Sequence, residues 1–180
     1  MEIKDKHTIY EGFYAFRKVV LEDKGETFER EQFESGNAAA ALVYDTREEQ
    51  YIFVKQFRYS AEMELVEVVA GVVDDSNPKE TIKKEIEEET GYAVDKLEHV
   101  WDFFSSPGAC TEKVFLYYAE VSRKKNAGGG KDEAHENIQL VTLELEELLT
   151  QKWYDAKTII AVQWLAARHQ VFLKKPDVRL

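Results

Sequence analysis

The segment from Gly71 to Tyr92 predicts one helix with both of its ends marked. Asn77 belongs to the residue types that cap helix N-termini, and Pro78 suits the first turn because its missing N–H is not needed there. Gly91 suits the C-terminal end, where the backbone often turns left-handed. These signals predict a helix of about three to four turns.

Three carboxylates recur on one side of this helix. Glu85, Glu88 and Glu89 stand at positions i, i+3 and i+4, so their side chains project near one another. Ile82 and Ile86 form an adjacent apolar stripe, which puts the carboxylates at the edge of a core. Like charges in this arrangement repel, and a cation between them explains the pattern. Hard oxygen ligands favour Mg²⁺, with Mn²⁺ as a substitute.

An ordinary surface helix stabilised by glutamate and lysine pairs is the alternative interpretation. The acidic residues of this loop and helix outnumber the basic ones: Asp74, Asp75, Glu85, Glu87, Glu88 and Glu89 against Lys79, Lys83 and Lys84. The last turn also ends in three glutamates, where the negative end of the helix dipole disfavours them. The composition therefore favours a metal site.

The same residues resemble the signature of the Nudix hydrolases. Gly71 matches the first glycine of that signature, and residues 84–92 match its second block. Lys84 stands where arginine is usual, the spacing between the blocks is one residue shorter than the common pattern, and Asn77 occupies the place of the first glutamate. The shorter spacing and Asn77 concern the loop and Lys84 concerns the helix, whereas the glutamates of the helix are all present.

Further short matches extend the resemblance along nearly the whole chain. They are similar to the branch of the family that contains GDP-mannose and ADP-ribose pyrophosphatases. The matching segments are QFR at 56–58, SPGACTE at 106–112, NAGGG at 126–130 and DAKT at 155–158. Several independent short matches are more specific than one motif.

The resemblance implies roles for individual residues. It implies metal ligands at Ala70 (through its carbonyl), Glu85, Glu89 and Glu136. It implies a general base at Glu88, Glu112 or Glu136, a choice that stays open because carboxylates sharing metals titrate as a group. It implies substrate contacts at Arg30, Glu31, Arg58, Glu112 and Lys157. In dimers of such proteins, the segment matching 29–31 approaches the substrate of the partner, so a homodimer is expected.

The expected fold is α/β, a Nudix-type α/β/α sandwich with mixed sheets and an N-terminal antiparallel strand extension. A single domain over 1–180 is expected, with 1–36 as the extension and 37–180 as the catalytic core. Strand patterns occur at 13–21, 27–33, 38–44, 51–57, 65–73, 97–104, 114–121 and 138–143. Helices are predicted at 144–150 and 156–168, and a flexible insertion at 124–131.

Composition limits the partners. The formal net charge of −11 argues against nucleic acid, because binding phosphate backbones needs a basic surface. No apolar run approaches the roughly 20 residues that span a bilayer, so no membrane association is expected. One cysteine, Cys110, and a polar start without a signal peptide predict a cytoplasmic protein.

The predicted activity is Mg²⁺-dependent hydrolysis of the diphosphate bond in nucleoside diphosphate sugars. A GDP-mannose-type substrate is favoured, and the products would be a nucleoside monophosphate and a sugar 1-phosphate. Two alternatives stay open at this point: an ADP-ribose pyrophosphatase that releases AMP and ribose 5-phosphate, and a module that binds a nucleotide sugar without cleaving it.

Overall fold

The computed structural model describes residues 1–74, 77–130 and 137–170, which form ten strands and three helices. The strands are β1 (Glu2–Glu11), β2 (Ala15–Asp23), β3 (Glu26–Glu34), β4 (Asn37–Asp45), β5 (Gln50–Arg58), β6 (Met63–Glu67), β7 (Val69–Val73), β8 (Tyr92–Phe104), β9 (Lys113–Lys124) and β10 (Gln139–Leu143). The helices are α1 (Pro78–Thr90), α2 (Leu145–Thr150) and α3 (Ala156–Arg168).

The first three strands form an antiparallel sheet of their own, in the order β1-β2-β3. Lys24 and Gly25 both have positive φ, at 52° and 84°, as a tight hairpin turn between β2 and β3 requires. This sheet is the predicted N-terminal extension. Strand β1 was not predicted, because its charged sequence has no apolar run, and all ten of its residues are exposed.

The main sheet has seven strands, in the order β10-β5-β4-β9-β8, with β6 paired to β5 and β7 paired to β4. Strands β4 and β9 are parallel, whereas the other pairs are antiparallel, so the sheet is mixed. The single strand predicted at 65–73 is wrong. It divides at Val68, whose N–H donates to the Thr158 hydroxyl at 2.9 Å rather than to a neighbouring strand.

Helices cover both faces of the main sheet, which confirms the α/β/α sandwich. Alternate residues of β4 point to opposite faces, as the pleat of a strand requires. Ala39, Ala41 and Val43 join the core under α1. Ala40 and Leu42 join the core under α2 and α3.

The helix predictions are confirmed in their positions. The Asn77 side chain accepts a hydrogen bond from the backbone N–H of Lys79, and Gly91 ends α1 with φ at 80°. The spacing of Ile159, Val162 and Ala166 predicts one buried face of α3. Val162 and Ala166 are buried, but the prediction is wrong for Ile159, which is 38% exposed. Within the described residues, no helix combines the length and apolarity needed to cross a membrane.

Candidate active site

A cleft of about 270 Å³ lies between the main sheet, the N-terminal extension and the start of α3. Four of the predicted site residues line it: Arg58, Ala70, Glu112 and Lys157. Tyr14 of the extension and Gly71 line it as well. Residues from distant parts of the sequence, predicted separately from short motifs, therefore meet at one place.

Gly71 has a structural reason to be glycine. A Cβ atom added to Gly71 would lie 2.3 Å from the carboxyl carbon of Glu85 and 2.5 Å from its Oε1. The Glu85 carboxylate therefore rests directly against the backbone of β7, next to the predicted carbonyl ligand Ala70. Any larger residue at position 71 would displace that carboxylate.

Helix α1 holds its carboxylates at the edge of the core. Ile82 and Ile86 are fully buried and anchor the helix to the sheet, and Glu89 is itself only 5% exposed. Glu85 and Glu88 are partly buried. None of these three glutamates lines the cleft itself: Glu85 packs against its lining residue Gly71, and Glu88 lines a second pocket beside Asn126. We call Glu85, Glu88 and Glu89, together with the β7 backbone that lines the cleft, the carboxylate side.

Three other residues of the cleft lining, Arg58, Asp155 and Lys157, belong to a network of paired charges with Glu67. Arg58 donates from Nε and Nη2 to the two carboxylate oxygens of Glu67, at 2.7 and 2.8 Å. Lys157 Nζ lies 2.6 Å from Glu67 Oε2 and 2.8 Å from Asp155 Oδ1. We call these four residues the cation side of the cleft.

On the cation side, the pKa values of Glu67 and Arg58 are both shifted in the direction that favours the charged form. Burial alone would raise the pKa of Glu67, which is 1% exposed, but hydrogen bonds and charge from Arg58 and Lys157 outweigh it and lower the pKa. The hydrogen bond to Glu67 raises the pKa of Arg58, and the charge of Glu89 adds a smaller increase. The two sides of the cleft are therefore within electrostatic reach of each other.

Glu67 is a site residue that motif matching missed. A signal was present in the sequence: a single glutamate interrupts the apolar run 65–69 and must find a partner if that strand is buried. The sequence identifies Asp155 only as the first residue of the DAKT motif and predicts no contact for it. It caps α3 by accepting hydrogen bonds from the Thr158 N–H and hydroxyl, at 2.9 and 2.6 Å.

The N-terminal extension supports the loop that carries Glu112. The backbone of Phe33, in β3, donates to the Ala109 carbonyl at 2.8 Å and accepts from the Thr111 N–H at 3.0 Å. Tyr14, between β1 and β2, lines the cleft as well. Burial and the neighbouring Tyr59 raise the pKa of the Tyr14 phenol, so it stays protonated at neutral pH.

Two predicted substrate residues lie elsewhere. Arg30 and Glu31 are exposed on β3 and do not line the cleft of their own chain. The guanidinium of Arg30 instead sits 4.7 Å from the centre of the Phe28 ring. Their predicted contact with the substrate of a partner remains a prediction. Glu136, predicted as metal ligand or base, lies outside the described residues.

The donors on the carboxylate side fit a hard divalent cation. Glu85 and Glu89 supply carboxylate oxygens and Ala70 supplies a carbonyl oxygen, the chemistry that Mg²⁺ and Mn²⁺ prefer. In residues 1–74, 77–130 and 137–170, no three or more His, Cys, Asp or Glu side chains converge as metal ligands.

Comparison with known proteins places the chain in a family. Residues 34–163 match the NUDIX domain. The chain therefore belongs to the Nudix family, and it is an enzyme, a Nudix hydrolase.

Similar proteins include GDP-mannose pyrophosphatases from three bacteria. The protein of Cronobacter sakazakii is 34% identical, over 92% of this chain and 94% of its own. Those of Escherichia coli K12 and Enterobacter sp. 638 are each 30% identical, over 93% and 91% of this chain and 95% and 93% of their own.

The fold also has a counterpart among solved structures. A crystal structure described as an ADP compounds hydrolase superposes with a TM-score of 0.78 and covers 94% of each chain. Sequence identity to that protein is 16%, so the likeness confirms the fold alone.

Proposed function

We propose that this enzyme hydrolyses the diphosphate bond of nucleoside diphosphate sugars with Mg²⁺, and that GDP-mannose is the favoured type of substrate. The observation that carries the proposal is one cleft lined by the cations Arg58 and Lys157 and by the carboxylate of Glu112, with Glu85 packed against the lining backbone at Gly71. A diphosphate needs both kinds of group, because its charge must be neutralised while one phosphorus stays open to attack. Relatives named GDP-mannose pyrophosphatases, aligned over nearly their full length, support the choice of substrate.

Glu85, Glu89 and the Ala70 carbonyl would hold the metal. Bound there, Mg²⁺ supplies neutralisation of the diphosphate and activation of phosphorus toward attack. These three residues would place their oxygen donors on one side of the substrate. Glu85 is fixed by its contact with Gly71, and Glu89 is fixed by burial.

Arg58 and Lys157 bind the diphosphate from the cation side. Glu67 engages Nε and Nη2 of Arg58, so the Nη1 end of the guanidinium is the part that serves phosphate oxygens. Because Glu67 and Asp155 already hold the two cations, little side-chain entropy is lost when substrate binds.

In the hydrolytic step, a water oxygen forms a bond to one phosphorus while the bond from that phosphorus to the bridging oxygen breaks. The leaving phosphate keeps the bridging oxygen, and a carboxylate takes the proton from water. Glu88, Glu112 and Glu136 are the candidates for that base. The products are a nucleoside monophosphate and a sugar 1-phosphate.

A homodimer is part of the proposal. The first sheet exposes apolar side chains, including Ile9 at 53% and Tyr10 at 64%, on strands that a second copy can cover. Arg30 and Glu31 on the same sheet would then reach the cleft of the partner. The division into 1–36 and 37–180 and the cytoplasmic location stay predictions from the sequence.

The test is hydrolysis of a small substrate panel with Mg²⁺, repeated with a chelator. The panel contains GDP-mannose, ADP-ribose, other nucleotide sugars and a nucleoside triphosphate. We expect metal-dependent release of GMP and mannose 1-phosphate. A preference for ADP-ribose, with AMP and ribose 5-phosphate as products, would establish the second candidate. Binding of a nucleotide sugar without any product would contradict the proposal and indicate a non-catalytic module.

A further inference from the structure

The segment 125–130, which we call the glycine clamp, binds the C-terminal end of α1. It was predicted as part of a flexible insertion, and its hydrogen bonds contradict that prediction. Gly129 N–H donates to the Glu89 carbonyl at 2.7 Å, and Gly130 N–H donates to the Glu88 carbonyl at 3.2 Å. The last carbonyls of a helix have no partner within the helix, so the clamp supplies partners from outside.

The approach of the clamp to the helix leaves no room for side chains. A Cβ atom on Gly128 would lie 2.6 Å from the Glu89 carbonyl oxygen, and one on Gly91 would lie 2.2 Å from the Asn126 carbonyl oxygen. Both glycines also have positive φ, at 70° and 80°. Because the atoms in the way are backbone atoms, a larger residue must push the clamp and the helix apart.

Two further contacts fix the clamp. The Lys125 N–H donates to the Gly91 carbonyl at 2.7 Å, and the Lys125 ammonium pairs with Glu87 at 2.9 Å. The Asn126 side chain accepts from the Gly128 N–H at 2.9 Å, which holds the turn inside the clamp. The contact therefore combines backbone, side-chain and steric components.

We propose that the glycine clamp positions the carboxylates of Glu89, a candidate metal ligand, and Glu88, a candidate base, with Gly128 as the positioning residue. The clamp bonds to the carbonyls of these two residues on α1. By fixing that backbone, it sets where their carboxylates lie. The inference rests on the proposed function, because it concerns the metal of that same site.

The test compares Gly128→Ala with Gly25→Ala. Gly25 has a similar positive φ, at 84°, but no atom lies within 4 Å of an added Cβ. The control therefore introduces the same type of backbone strain far from α1. Asn126→Ala is a milder second variant, which removes the hydrogen bond inside the clamp. It tests the same proposal if Gly128→Ala does not fold.

The measurements are the Mg²⁺ concentration that gives half-maximal hydrolysis of GDP-mannose, the KM for GDP-mannose at saturating Mg²⁺, and amide hydrogen exchange in the last turn of α1. For Gly128→Ala we expect the half-saturating Mg²⁺ concentration to rise by about tenfold. KM should stay within about twofold, since the cation side is untouched. Exchange in the last turn should become faster, and Gly25→Ala should match the wild type in all three measurements.

Unchanged half-saturating Mg²⁺ in Gly128→Ala, together with faster exchange, would overturn the proposal and leave the clamp a purely structural cap. An equal rise in Gly25→Ala would overturn it too, because general destabilisation would then explain the effect. If the wild type needs no metal, the proposed function fails. That result is seen before any variant is made, so the two failures are distinguishable.

Discussion

Different interactions hold the side chains of the cation side and of the carboxylate side in place. On the cation side, Arg58 and Lys157 are held by the carboxylates of Glu67 and Asp155, so the charges are matched within the protein. On the carboxylate side, order comes from burial, from the glycine contact under Glu85 and from the clamped end of α1. Under the proposed function, this difference corresponds to a division of work, in which the cation side would bind the diphosphate and the carboxylate side would hold the metal.

The largest effect is expected from Glu89→Gln, which keeps the size of the side chain and removes its charge. Turnover should fall by more than about 100-fold, because even an outer-shell partner of a metal is worth about 10–100-fold. The thermal unfolding temperature should change little, and KM for GDP-mannose should stay near the wild-type value. Unchanged turnover would show that Glu89 is not a metal ligand and would contradict the proposed role of the carboxylate side.

Gly71→Ala tests the same side through the backbone. The new Cβ would collide with the end of the flexible Glu85 side chain, which can move without unfolding the sheet. We expect kcat to fall by about 10–100-fold with a nearly normal unfolding temperature. Gly108→Ala is the matched control, because an added Cβ there meets no atom within 4 Å. Equal activity of the two variants would contradict the fixed position of Glu85.

Glu67→Gln tests the cation side. Arg58 and Lys157 would lose the charge that anchors both, so KM for GDP-mannose should rise by about tenfold with a smaller change in kcat. Glu64→Gln is the control on the same strand, where the side chain is 52% exposed and pairs with Lys55. A fall in kcat with unchanged KM would reverse the proposed division of work.

The smallest effect is a pH dependence of stability. The pKa of Glu67 is lowered in the folded protein from its ordinary value of 4.5, so its stabilisation is complete above that value and is lost as pH falls through the lowered pKa. At neutral pH, Glu67→Gln should reduce the free energy of unfolding by about 1–3 kcal/mol. Denaturant titrations should show that the difference in the free energy of unfolding between the wild type and Glu67→Gln becomes smaller below pH 4.5. A difference that becomes larger in acid would contradict the lowered pKa of Glu67.

Much of the site was predictable because its signals are local. The ends of α1 follow from Asn77 and Gly91, and the face that carries Glu85 and Glu89 follows from helical spacing. The motifs that hold Arg58, Glu112 and Lys157 are short runs that can be read one at a time. The structure brings all three to the lining of one cleft, and their roles stay predictions.

The remainder depends on contacts between distant residues. The break at Val68 is fixed by Thr158, 90 positions away, and no local pattern in 65–73 predicts it. The pairing of Glu67 with Arg58 depends on how β5 and β6 turn and align. The contact between Gly128 and the end of α1 is equally non-local, because a run of glycines is by itself typical of a linker.

The most direct test of the division of work is Mn²⁺ binding without nucleotide, measured by the loss of the electron paramagnetic resonance signal of the unbound ion. The wild type, Glu89→Gln and Glu67→Gln would be titrated side by side. The account predicts saturable binding in the wild type, a similar affinity in Glu67→Gln, and at least about tenfold weaker binding in Glu89→Gln. Wild-type affinity in Glu89→Gln, or loss of binding in Glu67→Gln alone, would contradict it.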